Sequence, residues 1–290
     1  MSNQTGRIAR RFAELAASGR KAVIPYLVAG DPLADISVPL MHRLVQAGAD
    51  IIELGVPFSD PMAEGPTIQR GHERALDKGV RLRDALAMVA EFRKRDSDTP
   101  VLLMGYANPV VGMGFARFAD RASEVGLDAL LTVDMPPEEV EALNAELKRT
   151  GLDNIFLVAP TTPPERVEKI TEVATGFVYY VSLKGVTGAG HLDVDSVSEH
   201  VALIRRFTQL PVAVGFGIKD AKSAARVAHE ADGVVVGSAL VQLMADRAAA
   251  GASQDEILEA AATLLADIRA GVDSVTPSGT AEGMERQAAE

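Results

Sequence analysis

Short apolar runs recur along the chain, each followed by a longer segment whose apolar residues fall three and four apart. The first kind has the length of a strand buried on both faces; the second has the period of a helix with one buried stripe. An opening helix is predicted over Ile8–Ser18, with Ile8, Phe12, Leu15 and Ala16 at helical spacing and Gly19 as its stop. A strand is expected over Lys21–Gly30, where Pro25 withholds a ladder N–H and predicts a bulge or an unpaired position. Further strands are expected over Asp50–Val56, Val101–Tyr106, Ala129–Val133, Ile155–Ala159, Phe177–Val181, Val212–Val214 and Gly233–Val236. The intervening segments are predicted to be helical, among them Thr67–Lys78, Phe115–Val125, Ala239–Ala249 and Gln254–Ala270. Asn108-Pro109 reads as a turn, and Pro136-Pro137 as the opening of a helix, where a missing N–H is harmless.

Strands alternating with helices mean parallel βα units. Eight of them within about 250 residues predict a single (β/α)8 barrel carrying an extra N-terminal helix. A doubly wound open sheet is the alternative, but no G-x-G-x-x-G follows the first strand. Residues 1–270 are expected to form that one domain, and the polar stretch 271–290 reads as a disordered tail.

Composition narrows the class. Of 290 residues 47% are hydrophobic, ample for one core, and the net charge is −11. An acidic chain lacks the positive field that general nucleic-acid or anionic-membrane binding needs, yet backbone N–H groups can still hold a small anion. There is no cysteine, which excludes disulfides, thiol catalysis and Cys-based metal sites. Met1–Arg11 is polar with no apolar core of a secretory signal, and no run approaches the roughly 18 apolar residues of a membrane span. A soluble, cytoplasmic protein is the expectation.

Chemistry is expected at the C-terminal ends of the strands, where barrels of this kind place their sites. The second strand carries a carboxylate, Glu53, and runs into a Pro/Gly loop with two more acids, Asp60 and Glu64. A charge in a strand covered on both faces costs several kcal/mol unless it is paired or protonated. A loop acid beyond it can complete a two-carboxylate site. The plainer reading makes Glu53 a structural acid paired with a buried Arg or Lys, and Asp60 and Glu64 solvated turn residues. Tyr106 and Tyr179 likewise read as site or core residues. His42, His72, His191, His200 and His229 are scattered and read as surface or packing residues, not metal ligands. Gly215-Phe-Gly217 and Gly237-Ser238, after the last two strands, stand where such barrels hold phosphate. Glycine admits backbone N–H groups to the anion, Ser238 adds a hydroxyl, and the following helix turns its positive end inward.

Glu53-Leu-Gly-Val-Pro-Phe-Ser-Asp-Pro61, with Gly65-Pro-Thr-Ile-Gln69 after it, resembles the signature of the tryptophan synthase α-subunit family. Tyr106-Ala-Asn108, Leu183-Lys-Gly-Val-Thr-Gly188, Gly215-Phe-Gly-Ile218 and Gly237-Ser-Ala239 resemble the same family, and the likeness spans residues 7–269. The resemblance implies a TIM barrel that cleaves indole-3-glycerol phosphate to indole and glyceraldehyde 3-phosphate, a lyase of L-tryptophan biosynthesis. It implies a partner β subunit in an α2β2 heterotetramer, with pyridoxal phosphate in that partner and neither cofactor nor metal in this chain. Such a retro-aldol cleavage needs indole C3 protonated, the indole N–H proton drawn off and the neighbouring hydroxyl deprotonated, work that two carboxylates in different environments divide.

By resemblance, Glu53 is the acid/base serving C3 and the hydroxyl, with a pKa raised by burial, and Glu64 is the loop acid that meets the indole N–H. Tyr26, Met104, Leu131 and Phe216 are implied as the indole wall, with Tyr106 and Tyr179 lining the same pocket. Gly188, Gly217, Gly237 and Ser238 are implied to hold the phosphate. The loops at 57–66 and 183–192 are expected to close over substrate and face the partner. Two positions depart from the family: Glu64 stands where Asp is the rule, and Val28 where Thr is usual. These departures keep two other readings open, a regulatory subunit with weak catalysis that activates the β subunit, and a stand-alone indole-releasing lyase.

Overall fold

The apolar runs become the strands of a closed, all-parallel barrel in this computed structural model, which describes residues 6–181, 194–215 and 217–275. The strands are β1 (Ala22–Val28), β2 (Ile52–Gly55), β3 (Val101–Gly105), β4 (Ala129–Thr132), β5 (Asp153–Val158), β6 (Val178–Val181), β7 (Val212–Gly215) and β8 (Gly233–Val236). They neighbour one another in sequence order and β8 pairs back onto β1, so no sheet edge is left open. The strand through Pro25 shows no bulge. Pairing with β8 runs unbroken over Ala22–Pro25 and pairing with β2 begins at Tyr26, so the proline sits at the handover between its two neighbours.

Side chains alternate inward and outward along each strand. Ile24, Leu102, Leu131, Ile155, Ala213 and Val235 fill the interior, where Ile8, Phe12 and Leu15 of α1 (Arg7–Ala17) join them. Phe12 meets Phe177, just before β6, at a ring-centroid distance of 5.7 Å. The extra N-terminal helix therefore plugs the end of the barrel where the strands begin. Outward residues form a second cluster beneath the helices. These are α2 (Ser37–Gln46), α3 (Pro66–Asp77), α4 (Leu82–Arg93), α5 (Ala107–Met113), α6 (Phe115–Glu124), α7 (Glu141–Thr150), α8 (Pro164–Val173), α9 (Val194–Arg205), α10 (Ala221–Ala228), α11 (Ser238–Ala249) and α12 (Gln254–Asp273).

Three boundaries differ from the pattern. Asn108-Pro109 is not a plain turn but the first turn of α5, where proline's missing N–H is one that no helix would bond. Pro136-Pro137 does not open a helix; the chain turns there and α7 starts at Glu141. Helix α12 continues past Ala270 to Asp273, and Gly271 within it is buried against the backbone of Ala221, too close for any side chain. The remainder of the tail, from residue 276, lies outside the described residues. Among the described residues no helix is long and apolar enough to cross a membrane.

Side chains fasten the strand-start end. Asp50 accepts the N–H of Val23 at 2.8 Å, Asp128 that of Val101 at 2.8 Å, and Asp232 that of Val212 at 2.9 Å. Thr175 does the same for Asn154 at 2.8 Å. Each acceptor stands just before an even-numbered strand and holds the odd-numbered strand preceding it. Arginines complete the shells: Arg269 on Asp50, Arg7 and Arg93 on Asp128, and Arg205 on Asp232.

Candidate active site

At the opposite end the inward face of β2 carries Glu53, 1% exposed, with both carboxyl oxygens buried and without a hydrogen-bond partner among the described residues. Burial pushes its pKa up to about 8, so the group is protonated at neutral pH. Its register partners are Tyr26 on β1 and Leu102 on β3.

Two residues beyond Glu53 the chain leaves the barrel as the acidic loop, and three side chains hold that loop in shape. Tyr106, at the end of β3, donates its hydroxyl to the Glu64 carboxylate and accepts the Ala63 N–H at 2.9 Å. Its ring stacks on Phe58 at 4.7 Å between centroids. Gln69, in the first turns of α3, donates to the carbonyls of Pro61 at 3.2 Å and Glu64 at 2.9 Å. Glu64 is thus half-buried at the mouth; burial raises its pKa and the Tyr106 hydrogen bond opposes the rise. Asp60, the loop's other acid, is exposed and bonded to the Ser59 hydroxyl at 2.6 Å. Of the two, only Glu64 is tied to a barrel residue predicted for the site.

The third of these side chains is His72, which reading the sequence had placed among surface or packing residues. It is 1% exposed beneath the loop, with Nδ1 accepting the Phe58 N–H at 3.1 Å and Nε2 3.3 Å from the Tyr26 hydroxyl. The available signal was its spacing: three residues after Gln69, it lies on the same face of a helix that opens directly after the loop.

Tyr26 and Tyr179 enter the mouth in matching ways. Each reaches over a glycine of the next strand, Tyr26 over Gly55 and Tyr179 over Gly215, and a Cβ at either glycine would collide with the tyrosine hydroxyl. Burial raises both tyrosine pKa values and the Glu53 charge adds to it, so both hydroxyls keep their protons. Met104 and Leu131, register partners on β3 and β4, give the mouth an apolar wall. Val28 is buried against Gly71 of α3.

Across the mouth, Gly237 caps α11 beside the Tyr26 ring, where its Cβ would stand 3.6 Å away, and Ser238 opens that helix at the surface. The first hydrogen bonds of the helix run from the Leu240 and Val241 N–H groups to the Gly237 carbonyl at 2.9 and 3.0 Å, so the Ser238 and Ala239 N–H groups ahead of them are placed as a helix start offers them to an anion. Gly217 follows β7 with φ +73°, a left-handed conformation that favours glycine. Gly188, Phe216 and the 183–192 loop lie outside the described residues. Among the described residues no three His, Asp or Glu side chains group as metal ligands.

The comparisons with known proteins agree with this geometry. A family model described as tryptophan synthase alpha chain matches residues 12–269. The tryptophan synthase alpha chain of Nitrosococcus oceani is 61% identical over 236 residues, covering 81% of this chain and 87% of its own. That of Dechloromonas aromatica is 55% identical over 269 residues, covering 93% and 98%. Among solved structures, the tryptophan synthase subunit alpha of Legionella pneumophila superposes with a TM-score of 0.87 at 42% identity, covering 93% of this chain and all, 100%, of its own. A chain of Mycobacterium tuberculosis tryptophan synthase in its aminoacrylate-bound form gives 0.81 at 37% identity, covering 92% and 100%. With the barrel, the two carboxyls and the glycine ends in place, the chain belongs to the tryptophan synthase alpha chain family.

Proposed function

We propose that this chain cleaves the carbon–carbon bond of indole-3-glycerol phosphate, with Glu53 and Glu64 as its two working carboxyls. The observation that carries the reading is their difference in environment. Glu53 is buried, unpartnered and protonated, whereas Glu64 is half-buried and hydrogen-bonded by Tyr106. A protonated Glu53 delivers its proton to indole C3. The Glu64 carboxylate accepts the indole N–H and stabilises the positive charge that develops on the ring. Glu53, now ionised, takes the proton of the adjacent hydroxyl. The carbon–carbon electron pair returns to the ring, giving indole and an aldehyde, with Glu53 protonated again. Met104 and Leu131 supply an apolar face for the ring, and the first turn of α11 with Ser238 seats the phosphate. Glu64 is one methylene longer than the aspartate usual in the family, and its carboxylate accepts the Tyr106 hydroxyl.

The α-chain family implies a β-subunit partner. Met62 on the acidic loop and Val111 on α5 are 86% and 53% exposed, large apolar residues at the mouth end, which fits a partner surface there. The proposed assembly is α2β2, with pyridoxal phosphate in the β subunit and no cofactor in this chain. The test is indole release from indole-3-glycerol phosphate by the chain alone and then saturated with β subunit. Strong stimulation by the partner is the expected result. Fast release without stimulation would make it a stand-alone lyase, and bound ligand with no indole in either condition would leave a regulatory subunit.

A further inference from the structure

The hydrogen-bond directions around His72 follow from its geometry. Because the Phe58 N–H donates to Nδ1 at 3.1 Å, Nδ1 carries no hydrogen. A neutral imidazole then holds its hydrogen on Nε2, the nitrogen 3.3 Å from the Tyr26 hydroxyl. Burial keeps the ring neutral, its pKa lowered to about 4. Nε2–H therefore donates to the Tyr26 oxygen, and the tyrosine's own hydrogen must point elsewhere. Among the described residues no acceptor is hydrogen-bonded to it in this resting arrangement.

Glu53 has the complementary deficit, two buried oxygens with no donor. Tyr26 and Glu53 are register partners on adjacent strands, so their side chains share the inward face of the barrel. The other titratable groups around them are Tyr179 from β6, Glu64 from the loop, Tyr106 from the end of β3 and His72 from α3. None of these is a lysine or arginine, so among the described residues no fixed positive charge is at hand to receive an ionised Glu53.

We propose that Tyr26 is the hydrogen-bond donor that receives the Glu53 carboxylate when it ionises, and that His72 is the positioning residue that fixes Tyr26 in that role. The timing rests on the lyase reading above: Glu53 is a carboxylate only between giving its proton to C3 and taking one from the hydroxyl. A hydrogen bond made in that interval alone stabilises an intermediate state and not the resting one, so it acts on kcat. The bare backbone of Gly55 lets the tyrosine ring cross β2 to reach His72. Through Phe58 N–H the same imidazole ties this arrangement to the loop that carries Glu64.

The test is a carbon-13 NMR titration of the Glu53 carboxyl in the full chain, comparing wild type with Tyr26→Phe, His72→Asn and His72→Gln. Asparagine puts an amide oxygen near the place of Nδ1, keeping the Phe58 bond but not reaching Tyr26. Glutamine puts an amide N–H near the place of Nε2 and keeps the bond to Tyr26. Tyr26→Phe and His72→Asn are expected to raise the Glu53 midpoint by about one to two pH units, the size of one hydrogen bond to a charged group. Both should lower kcat roughly tenfold at unchanged KM, and His72→Gln should stay near wild type in midpoint and rate. An unmoved midpoint in Tyr26→Phe overturns the proposal. Equal shifts in the two His72 variants overturn the role given to His72. Tyr26→Phe removes a single oxygen, so it carries the test should a His72 variant not fold. A wild-type chain that fails to cleave would refute the lyase reading, while the titration would still decide whether Tyr26 serves Glu53.

Discussion

Asp50 and Glu53 stand three residues apart, one just before β2 and one within it, and both are buried, at 7% and 1% exposure. Asp50 is partnered: its Oδ2 accepts the Val23 N–H at 2.8 Å and an Arg269 N–H at 2.8 Å, and Arg11 lies 3.7 Å from its Oδ1. Burial still lifts its pKa, with the Val23 N–H and Arg269 pulling it back down. Among the described residues Glu53 has no such partners, and none of them offsets the effect of its burial. A buried carboxylate held by backbone N–H and arginine is a fastening, because removing its partners leaves a buried charge unpaired. A buried carboxyl without one holds a proton it can give up, which is what an acid/base needs. The same contrast divides the whole barrel. Asp128 and Asp232 are bonded to strands and arginines at the end that α1 closes, while the tyrosines, Glu53, Glu64 and the glycine ends face one another at the other.

The sharpest way to break this contrast is Glu53→Gln. It should reduce indole release by roughly 10³-fold or more, with thermal stability kept or raised, since no partner is lost. Loss of stability without loss of rate would make Glu53 the structural acid. The pH dependence of unfolding tests the same point. The folded state keeps the Glu53 proton from the ordinary 4.5 up to about 8. Stability from this group is therefore full below pH 4.5 and falls as pH rises through 8, at about 1.4 kcal/mol per pH unit across that window. Urea midpoints measured from pH 4 to 9 should show that fall in wild type and a flatter curve in Glu53→Gln.

At the other end of the strand, Asp50→Ala should cost about 1–3 kcal/mol, because it leaves the buried Val23 N–H without its acceptor and takes one of two carboxylate partners from Arg269, which keeps Asp273. Its kcat, measured on the folded fraction, should hold. A variant that folds normally but is inactive would erase the distinction between the two ends. The smallest effect is expected from Tyr106→Phe. Losing the hydroxyl lifts the Glu64 pKa further, since the hydrogen bond now opposes burial, and should lower kcat about tenfold near pH 7. Recovery of that rate as the assay pH rises would confirm the cause, and a pH-independent loss would point to a displaced loop instead.

Much of this molecule is readable along the chain. The apolar runs locate all eight strands, and the spacing of Ile8, Phe12 and Leu15 announces α1. What misled at the boundaries were prolines. Pro109 and Pro137 obey the same local rule, yet only Pro109 lies in a helix, because the choice depends on what each loop must span. The candidate site was legible where a residue is improbable in its own segment, as Glu53 is in an apolar strand. His72 was not, since a histidine in a polar helix has no local oddity; only the loop folding over it makes it buried.

The sequence by itself therefore determined the barrel, the end at which the candidate residues gather, and the presence of an acid in an apolar strand, because these follow from period, length and composition within single segments. The tertiary structure alone decided which of the two carboxyls has partners among the described residues and which has none. Arg269 is far in sequence from Asp50, Tyr106 from Glu64, and Tyr26 from His72, and each pair meets only when the strands close into a ring. Hydrogen bonds act over about 3 Å, and no pattern along a chain encodes a distance that short between segments that far apart.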